Sequence, residues 1–353
     1  MSASASDHPF LSGLLGDRET DALMGIEAEL AAMASFEAAL AQAQAAHNLI
    51  STLAADAIGQ ALAAFLPDLA ALRAAAGRDG VVVPELVHQM RAQIGMPHAE
   101  HLHLGATSQD VIDTALVLRL RPVLDLFERR VSGLADQLEA LSGRFGSRPL
   151  MGRTRMQAAI PITVADRVRS WREPLLRHLD RLGALRPDLL VVQFGGAAGT
   201  LDKLGDKAAA IRASLAAELG LGGTSQWHSQ RDRLANLANW LSLLTGTLGK
   251  FGQDVALMAQ AGGEIALSGG GASSAMPHKQ NPVAAEVLVA LARFNAAQLG
   301  AMHQALVHEQ ERSGAAWTLE WLVLPGMVAA AGAATRTAAE LAGSIESLGA
   351  SAG

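Results

Sequence analysis

The sequence predicts an all-α protein built on a bundle of long helices. Alanine and leucine, which lose little free energy on entering a helix, dominate the 353-residue chain, whereas tyrosine is absent. Three stretches in the second half keep a helical pattern over about 30 residues each, a length typical of bundle helices. Hydrophobic residues make up 50% of the chain and aromatic residues only 4%. We therefore expect helices that pack closely through small side chains, with some apolar faces buried between subunits.

The first part of the chain is predicted to form several shorter helices. Pro67, Gly77 to Gly80 and the segment 95–97 each interrupt the helical pattern there. We expect a small N-terminal helical domain over residues 1–104 and a central long-helix bundle over residues 105–353.

The segment Thr107-Ser-Gln-Asp110 has the spacing of a capping box, with Thr107 at the cap and Asp110 three residues later. Apolar residues follow at helical spacing, including Val111, Ala115 and Leu118. A long helix is therefore predicted from this cap to about Leu141, kinked at Pro122.

The remaining elements are predicted from helix-breaking residues and from the spacing of apolar residues. Residues 148–161 are polar and are expected to form a loop, and Val191 begins a short extended piece that turns through glycines. Glycines at 246, 249 and 252 would let a neighbouring helix approach closely. Helices are predicted over residues 163–185 (interrupted near Pro174), 229–261, 282–311 and 317–348.

Composition excludes several classes of function. The chain has no cysteine, so disulfides, thiolate metal sites and cysteine nucleophiles are excluded. No His-Glu-x-x-His or comparable spacing is present, and no metal or cofactor is expected. The formal net charge of −6 gives no reason to expect nucleic acid as a partner, so an anionic substrate would need a local cationic pocket.

The N-terminus has no secretory signal pattern, and Glu27, Glu29 and Glu37 interrupt the apolar stretch 23–40. A cytoplasmic protein without a membrane span is expected.

The segment from Gly269 to Pro282 is the most informative loop of the chain. Three consecutive glycines favour a mobile arm, and Ser273 and Ser274 follow them with two hydroxyl groups. Pro277 and Pro282 then stiffen the backbone around Lys279 and Asn281. This layout suits a loop that closes over an anion and brings a serine beside it. The alternative is a surface linker, which the Met-Pro-His-Lys-Gln-Asn-Pro tail disfavours.

Polar side chains also gather at other ends of the long helices. His103, Thr107 and Ser108 lie at a predicted helix N-terminus, where backbone N–H groups and the dipole attract a carboxylate; helix capping is the alternative role of the two hydroxyls. The second cluster contains Thr154, Arg155 and Gln157, and its alternative is a solvated basic turn. The third cluster contains His228 with Arg231 and Asp232, and the last two are expected to be structural. The fourth contains Arg312 in a charged helix end.

Taken together, these segments resemble the fumarase/aspartase superfamily. Ser273-Ser-Ala-Met-Pro-His-Lys-Gln-Asn-Pro282 is similar to its long loop motif, and Gly105-Ala-Thr-Ser-Gln-Asp110 and Gly152-Arg-Thr to its other two regions, in the same order. Further strings, such as Trp227-His-Ser-Gln-Arg-Asp232, resemble the bacterial cycloisomerases of the superfamily, which interconvert a carboxymuconate and its lactone. The resemblance covers nearly the whole chain.

The resemblance implies an all-α homotetramer whose central helices form one bundle, with each active site built from three subunits. It implies a small polycarboxylate substrate, Ser273 as the proton carrier with Ser274 as the alternative, and Lys279 as its charge partner. His103 would contact the substrate or shuttle protons. Substrate-binding roles would fall to Thr107, Ser108, Thr154, Arg155, Gln157, His228, Asn281 and Arg312.

The chain departs from the superfamily pattern at Arg155, where lyases carry a histidine. A lyase that expels an amine or alkoxide needs a proton donor for the leaving group, whereas a carboxylate with a pKa near ~4 leaves as a stable anion. Arg155 could instead hold a substrate carboxylate with two hydrogen bonds. The related cycloisomerases usually continue as a small C-terminal helical domain, which we expect to be absent here.

Two other functions remain open. One is a superfamily lyase, such as an adenylosuccinate lyase that releases fumarate. The other is a non-catalytic structural protein, which would be expected to lose the loop residues Ser273, Lys279 and Asn281, all of which are present.

Overall fold

Helices account for most of the chain in the computed structural model, which describes residues 8–272, 276 and 280–350. The α-helices are α1 (Ser12–Leu15), α2 (Arg18–Met24), α3 (Ile26–Ala46), α4 (Thr52–Ala63), α5 (Leu69–Asp79), α6 (Val83–Ile94), α7 (Ser108–Phe145), α8 (Val164–Leu189), α9 (Ala208–Leu219), α10 (Asp232–Ala261), α11 (Val283–Gln304) and α12 (Ala315–Gly343). The strands are β1 (Pro149–Thr154), β2 (Gln157–Thr163), β3 (Ile265–Leu267), β4 (Gly271–Ala272), β5 (Gln280–Asn281) and β6 (Ile345–Leu348). The all-α prediction is confirmed, because the strands pair only two at a time in the described part of the chain.

Five long helices, α7, α8, α10, α11 and α12, form the central bundle. Helices α7, α10 and α12 begin at one end of the bundle, where Asp113 contacts both Arg231 and Trp317. Helices α8 and α11 run in the opposite direction. The 38 residues of α7 correspond to a length of about 57 Å at 1.5 Å per residue. We call the end with Asp113 the cap end and the opposite end, with the β1–β2 hairpin, the hairpin end.

Small side chains allow the close packing that the composition predicts. A Cβ atom added to Gly249 would lie 2.5 Å from the Cβ of Ala292, and one added to Gly252 would lie 2.6 Å from the carbonyl oxygen of Ala285. Helix α11 therefore approaches α10 at two of the three glycines that the sequence singles out. Nothing lies within 4 Å of a Cβ added to Gly246, so this glycine makes no such contact.

The N-terminal helices cover one side of the bundle. Helix α3 packs against α7 and α9, and its buried face contains Met33, Phe36 and Leu40. The same face also buries the polar side chains of Glu37 and Gln44. The proposed boundary between residues 104 and 105 stays a prediction.

Two bundle helices, Val283–Gln304 and Ala315–Gly343, are long and apolar enough to cross a membrane by length and composition alone. The core helices of water-soluble proteins meet the same criterion, and most of the second helix is buried in the bundle. These two helices are therefore weak evidence for membrane insertion.

Several sequence predictions about local structure are wrong. Residues 148–161 contain the antiparallel β1–β2 hairpin instead of a loop, because the backbone groups of Leu150 and Ile162 face each other in register across it. Helix α8 continues past Pro174 and Pro187, and its N-terminus has its own capping box at Thr163. The capping box at Thr107 is confirmed, whereas α11 ends at Gln304 rather than near residue 311.

Candidate active site

The N-terminus of α7 is the organising feature of the cap end. The carboxylate of Asp110 accepts a hydrogen bond from the backbone N–H of Thr107 at 3.1 Å, which closes the capping box that fixes this helix end. Ser108 is the first helical residue and is half-buried. Thr107 thus has the capping role that the sequence left open, and both hydroxyls lie where the helix dipole favours an anion.

Asp110 connects this helix end to two other segments. Its Oδ1 accepts hydrogen bonds from the N–H of Gly195 at 2.8 Å, from Nε2 of His228 at 2.8 Å and from the amide of Gln193 at 3.2 Å. Its Oδ2 accepts from the N–H of Gly196 at 2.9 Å. Both oxygens of this fully buried side chain therefore accept at least two hydrogen bonds each.

The ring of His228 is oriented by the carboxylate of Asp110. A carboxylate only accepts, so Nε2 of His228 carries the proton of this bond. Its Nδ1 is buried and has no hydrogen-bond partner among the described residues. With 1% of its side chain exposed, His228 lies beneath the site rather than in its mouth.

Arg312 reaches the same end of the bundle from the segment before α12. Its Nε donates to Oε1 of Gln109 at 3.1 Å, and its Nη2 donates to the carbonyl of Ala197 at 3.0 Å. The amide of Gln109 in turn donates to Oδ2 of Asp113 and to the carbonyl of His228. Arg312 is exposed on its remaining side, so its guanidinium is available to an anion at the N-terminus of α7.

Below Arg312 lies a buried ion network centred on Arg231. Its guanidinium contacts Asp113 at 2.6 and 3.0 Å and Glu320 at 2.8 and 2.6 Å, and it lies 4.9 Å from the ring of Trp227. Burial lowers the pKa of Arg231, but Asp113 and Glu320 raise it by a larger amount. The pKa therefore lies above its ordinary value. The buried position of Arg231 fits the structural role expected from the sequence, whereas Asp232 is an exposed first residue of α10.

His103 lies on the loop just before α7 and pairs with a glutamate of α3. Its Nδ1 is 2.5 Å from Oε1 of Glu37, whose side chain is 1% exposed. The backbone of His103 has a φ of 64°, a conformation that only a few non-glycine residues adopt. Burial lowers the pKa of His103, but the charge and the hydrogen bond of Glu37 outweigh it, so the pKa is raised above its ordinary value.

The second group of candidate residues lies at the hairpin end. Thr154 ends β1 and Gln157 begins β2, and Arg155 and Met156 form the turn between them with φ values of 48° and 65°. These four side chains are exposed. Asn281 in β5 is half-buried and pairs with Gly271, beside a cavity of about 350 Å³. Ser273, Ser274 and Lys279 lie outside the described residues.

The structure therefore divides the candidate site between two ends of the bundle. It brings His103, Thr107, Ser108, His228 and Arg312 together at the cap end. It places the hairpin residues and Asn281 at the other end of α7, whose length is about 57 Å. One copy of the chain does not bring these two groups together.

Several residues of the cap end were missed in the sequence. Gln109 and Asp113 were available as an i, i+4 pair on one face of the predicted helix. Glu37 and Glu320 were visible as charged residues on otherwise apolar helix faces, and burial of a charge requires a partner. Those partners, His103 and Arg231, are distant in the sequence and could not be assigned from it.

Among residues 8–272, 276 and 280–350, no group of three or more histidine or acidic side chains is placed to hold a metal ion. The arrangement supports binding of a carboxylate at a helix N-terminus, between a guanidinium and an imidazole.

Comparison with known proteins assigns these features to one family. A profile of the protein family described as "Lyase" matches residues 17–294. The 3-carboxy-cis,cis-muconate cycloisomerase of Pseudomonas aeruginosa is 44% identical over 304 residues, which are 84% of this chain and 66% of that protein. The protein of the same name from Pseudomonas putida is 41% identical over 326 residues, which are 90% of this chain and 77% of that protein.

A solved structure has the same fold. The crystal structure of the 3-carboxy-cis,cis-muconate lactonizing enzyme from Pseudomonas putida superimposes with a TM-score of 0.91 and 39% sequence identity, and the match covers 96% of this chain and 77% of that chain. The present chain thus spans 66% to 77% of the length of these relatives.

Proposed function

This chain belongs to the lyase family of the fumarase/aspartase superfamily, and from that membership we propose that it is a cycloisomerase. Its reaction is the interconversion of 3-carboxy-cis,cis-muconate and 4-carboxymuconolactone, a step in the catabolism of aromatic compounds. The observation that carries the proposal is the 44% identity to a relative named for this activity. The carboxylate-binding geometry of the cap end supports it, since the substrate is a polycarboxylate.

The chemistry is the addition of a carboxylate oxygen of the substrate across a C=C bond. A C–O bond forms, the π electrons move onto the neighbouring carboxylate, and an aci-carboxylate results. Ser273 then delivers a proton to the α-carbon, and solvent restores the proton of Ser273. At neutral pH one carboxylate becomes an ester, so each lactone formed takes up one proton.

The additional negative charge of the intermediate is the main electrostatic demand on the site. Thr107, Ser108 and Arg312 would meet it from the cap end of one copy. Lys279 and Asn281, with backbone donors of their loop, would meet it from another copy. Thr154, Arg155 and Gln157 would hold the remaining carboxylates.

A shared site requires several copies, and we extend the proposal to a homotetramer in the cytoplasm. In its support, a stripe of small residues on α11 is exposed in the single chain, namely Ala290, Ala297 and Gly300, with Phe294 beside it at 42% exposure. Such a stripe would allow the helices of neighbouring copies to pack closely, as α10 and α11 do within the chain.

The proposed activity is tested by incubating the purified protein with 3-carboxy-cis,cis-muconate. The expected results are loss of the ultraviolet absorbance of the diene and uptake of one proton per molecule in a weakly buffered solution. Conversion of adenylosuccinate instead, with release of fumarate, would replace the proposal with the lyase alternative. No turnover of either substrate would favour the non-catalytic one.

The proton carrier is tested by Ser273→Ala, with Ser274→Ala as the matched control. Ser273→Ala is expected to abolish turnover while the assembly stays intact, because an alanine has no proton to transfer. Retention of more than about a tenth of the activity would contradict the role of Ser273. If Ser274→Ala alone is inactive, the proton carrier is the second serine.

A further inference from the structure

The strongest unexplained feature outside the expected machinery is a buried glutamate of α3. Glu37 is 1% exposed, and its Oε1 lies 2.5 Å from Nδ1 of His103. Its Oε2 is buried and has no hydrogen-bond partner among the described residues. A buried carboxylate with an unsatisfied oxygen is costly, and natural proteins retain few such groups without a functional reason.

The loop that carries His103 is clamped in place around this contact. On its N-terminal side, Arg91 donates to the carbonyl of Leu102 at 2.9 Å. On its C-terminal side, Gln44 donates to the carbonyl of Leu104 at 2.6 Å. These two bonds flank the residue with φ at 64°, so a strained backbone conformation is held from both sides.

The contact with Glu37 determines which ring nitrogen of His103 remains available. A carboxylate accepts, so Nδ1 of His103 carries the proton that it donates to Glu37. Its Nε2 makes no hydrogen bond within the described part of the chain, and this nitrogen is not fully buried. The ring is 17% exposed, so one edge of it opens from the loop that leads into α7.

Three charged groups from three helices act on this ring. Glu37 of α3 and Asp110 of α7 favour the imidazolium, whereas Arg91 of α6 opposes it. Glu37 is the one in direct contact. The net effect of burial and these charges is a pKa of His103 above its ordinary value, which favours the imidazolium form.

We propose that Glu37 is a positioning residue of the cycloisomerase reaction, which fixes Nδ1 of His103 and thereby presents Nε2 as a cationic N–H donor to a carboxylate of the substrate. This inference rests on the proposed function. In this proposal His103 does not shuttle protons. Its ring stays charged and stabilises the aci-carboxylate. This arrangement also accounts for the presence of a buried carboxylate in direct contact with the ring.

The test compares the pH dependence of kcat/KM for the wild-type protein and Glu37→Gln. The matched control is Gln44→Leu, which removes the other α3 contact with the same loop without changing a charge. In the wild type, kcat/KM is expected to fall as the pH rises through the raised pKa of His103. Glu37→Gln should move this fall to lower pH by at least about one unit, whereas Gln44→Leu should reduce kcat/KM without moving it.

If the role of Glu37 is purely structural, Glu37→Gln would lower kcat/KM by the same factor at every pH and leave its pH dependence unshifted. This result would overturn the proposal. The double variant with His103→Gln adds a second criterion. If Glu37 acts through His103, adding Glu37→Gln to His103→Gln changes kcat/KM by less than about threefold. A loss of kcat/KM in the double variant equal to the product of the two single losses would contradict the proposal.

A measurement without substrate separates this inference from the proposed function. In the ¹⁵N-histidine spectrum, the His103 signal, assigned by its loss in His103→Gln, should show both nitrogens protonated at neutral pH in the wild type and neutral imidazole in Glu37→Gln. If the wild type fails to convert 3-carboxymuconate, the function fails while the pairing is still measured. If Glu37→Gln does not fold, a neutral His103 in the wild-type spectrum overturns the proposal.

Discussion

At the scale of single residues, Arg231 is the charge whose removal should cost most stability. It pairs with Asp113 and Glu320, and all three side chains are at most 4% exposed. Arg231→Met would leave two buried carboxylates without a cation, so we expect the free energy of unfolding to fall by about 3–5 kcal/mol. Unfolding in urea measures this loss.

The matched control is Arg233→Met on the same helix. Arg233 pairs with Asp188, a partner that is 52% exposed, and solvent screens this pair. The control should therefore lose no more than about 1 kcal/mol. Equal losses in the two variants would show that the buried network contributes nothing beyond an ordinary surface pair.

His178 makes stability depend on pH. Burial lowers its pKa from 6.5 to about 4, with smaller contributions from Arg181 and Arg177. The unfolded chain therefore binds this proton more readily than the native protein, so the contribution of His178 is complete above pH 6.5 and is lost as the pH falls toward about 4. In His178→Asn, the fall in the free energy of unfolding over this pH range should therefore be smaller by up to about 3 kcal/mol.

Urea unfolding at several pH values between neutral and mildly acidic tests this prediction. The control is His88→Asn, because the side chain of His88 is exposed. An unchanged pH dependence in His178→Asn would show that another group is responsible.

At the scale of elements, the contact between α10 and α11 depends on glycine. A Cβ at residue 252 would lie 2.6 Å from the carbonyl oxygen of Ala285 and 2.9 Å from the Cβ of Leu288. Gly252→Ala is therefore expected to lower the free energy of unfolding by about 1–3 kcal/mol, despite the higher helix propensity of alanine.

Gly183 on α8 provides the control for that substitution. It is exposed, and nothing lies within 4 Å of an added Cβ. Gly183→Ala should raise stability by about 0.5–1 kcal/mol through propensity alone. Thermal unfolding of both variants should give shifts of opposite sign, and shifts of the same sign would contradict close packing as the reason for Gly252.

The helices were largely predictable from the sequence, because their signals are local. The capping box at Thr107 marked the start of α7, and the absence of proline marked α10. The β1–β2 hairpin was not predicted, since its turn consists of Arg155 and Met156 with positive φ instead of the usual glycine or asparagine. The continuity of α8 through Pro174 depends on tertiary packing, which overrides propensity.

The candidate site was predictable only in part. Motif spacing indicated the residues that could touch a substrate, such as Ser108 and Arg312. It did not indicate Glu37 or Gln109, because their partners His103 and Arg312 lie far away in the sequence. Buried charge on an apolar helix face was the available signal, and it identifies a residue without identifying its partner.

At the scale of the whole molecule, the two groups of site residues predict complementation between defective copies. Arg312→Met removes a group at the cap end, and Ser273→Ala removes the proposed proton carrier, which follows β4 in the sequence. Each variant alone is expected to be inactive. Refolding them together should restore activity, because some mixed assemblies would combine an intact cap end with an intact loop.

The control mixes two variants of the same end, Arg312→Met with His103→Gln, which cannot provide one complete cap end. Activity that returns in the first mixture and not in the second supports a shared site. Failure of both mixtures, with assemblies of normal mass, would contradict it.

The length of α7 also has a consequence for inheritance. A helix of 38 residues holds the two groups of residues so far apart that each copy contributes its two ends to different sites. In a cell that expresses an intact allele and one damaged at a single end, the damaged product should therefore remove only its own share of the sites. Two alleles damaged at opposite ends should partly rescue each other, so the effect of a pair of alleles would depend on which end of one helix each mutation occupies.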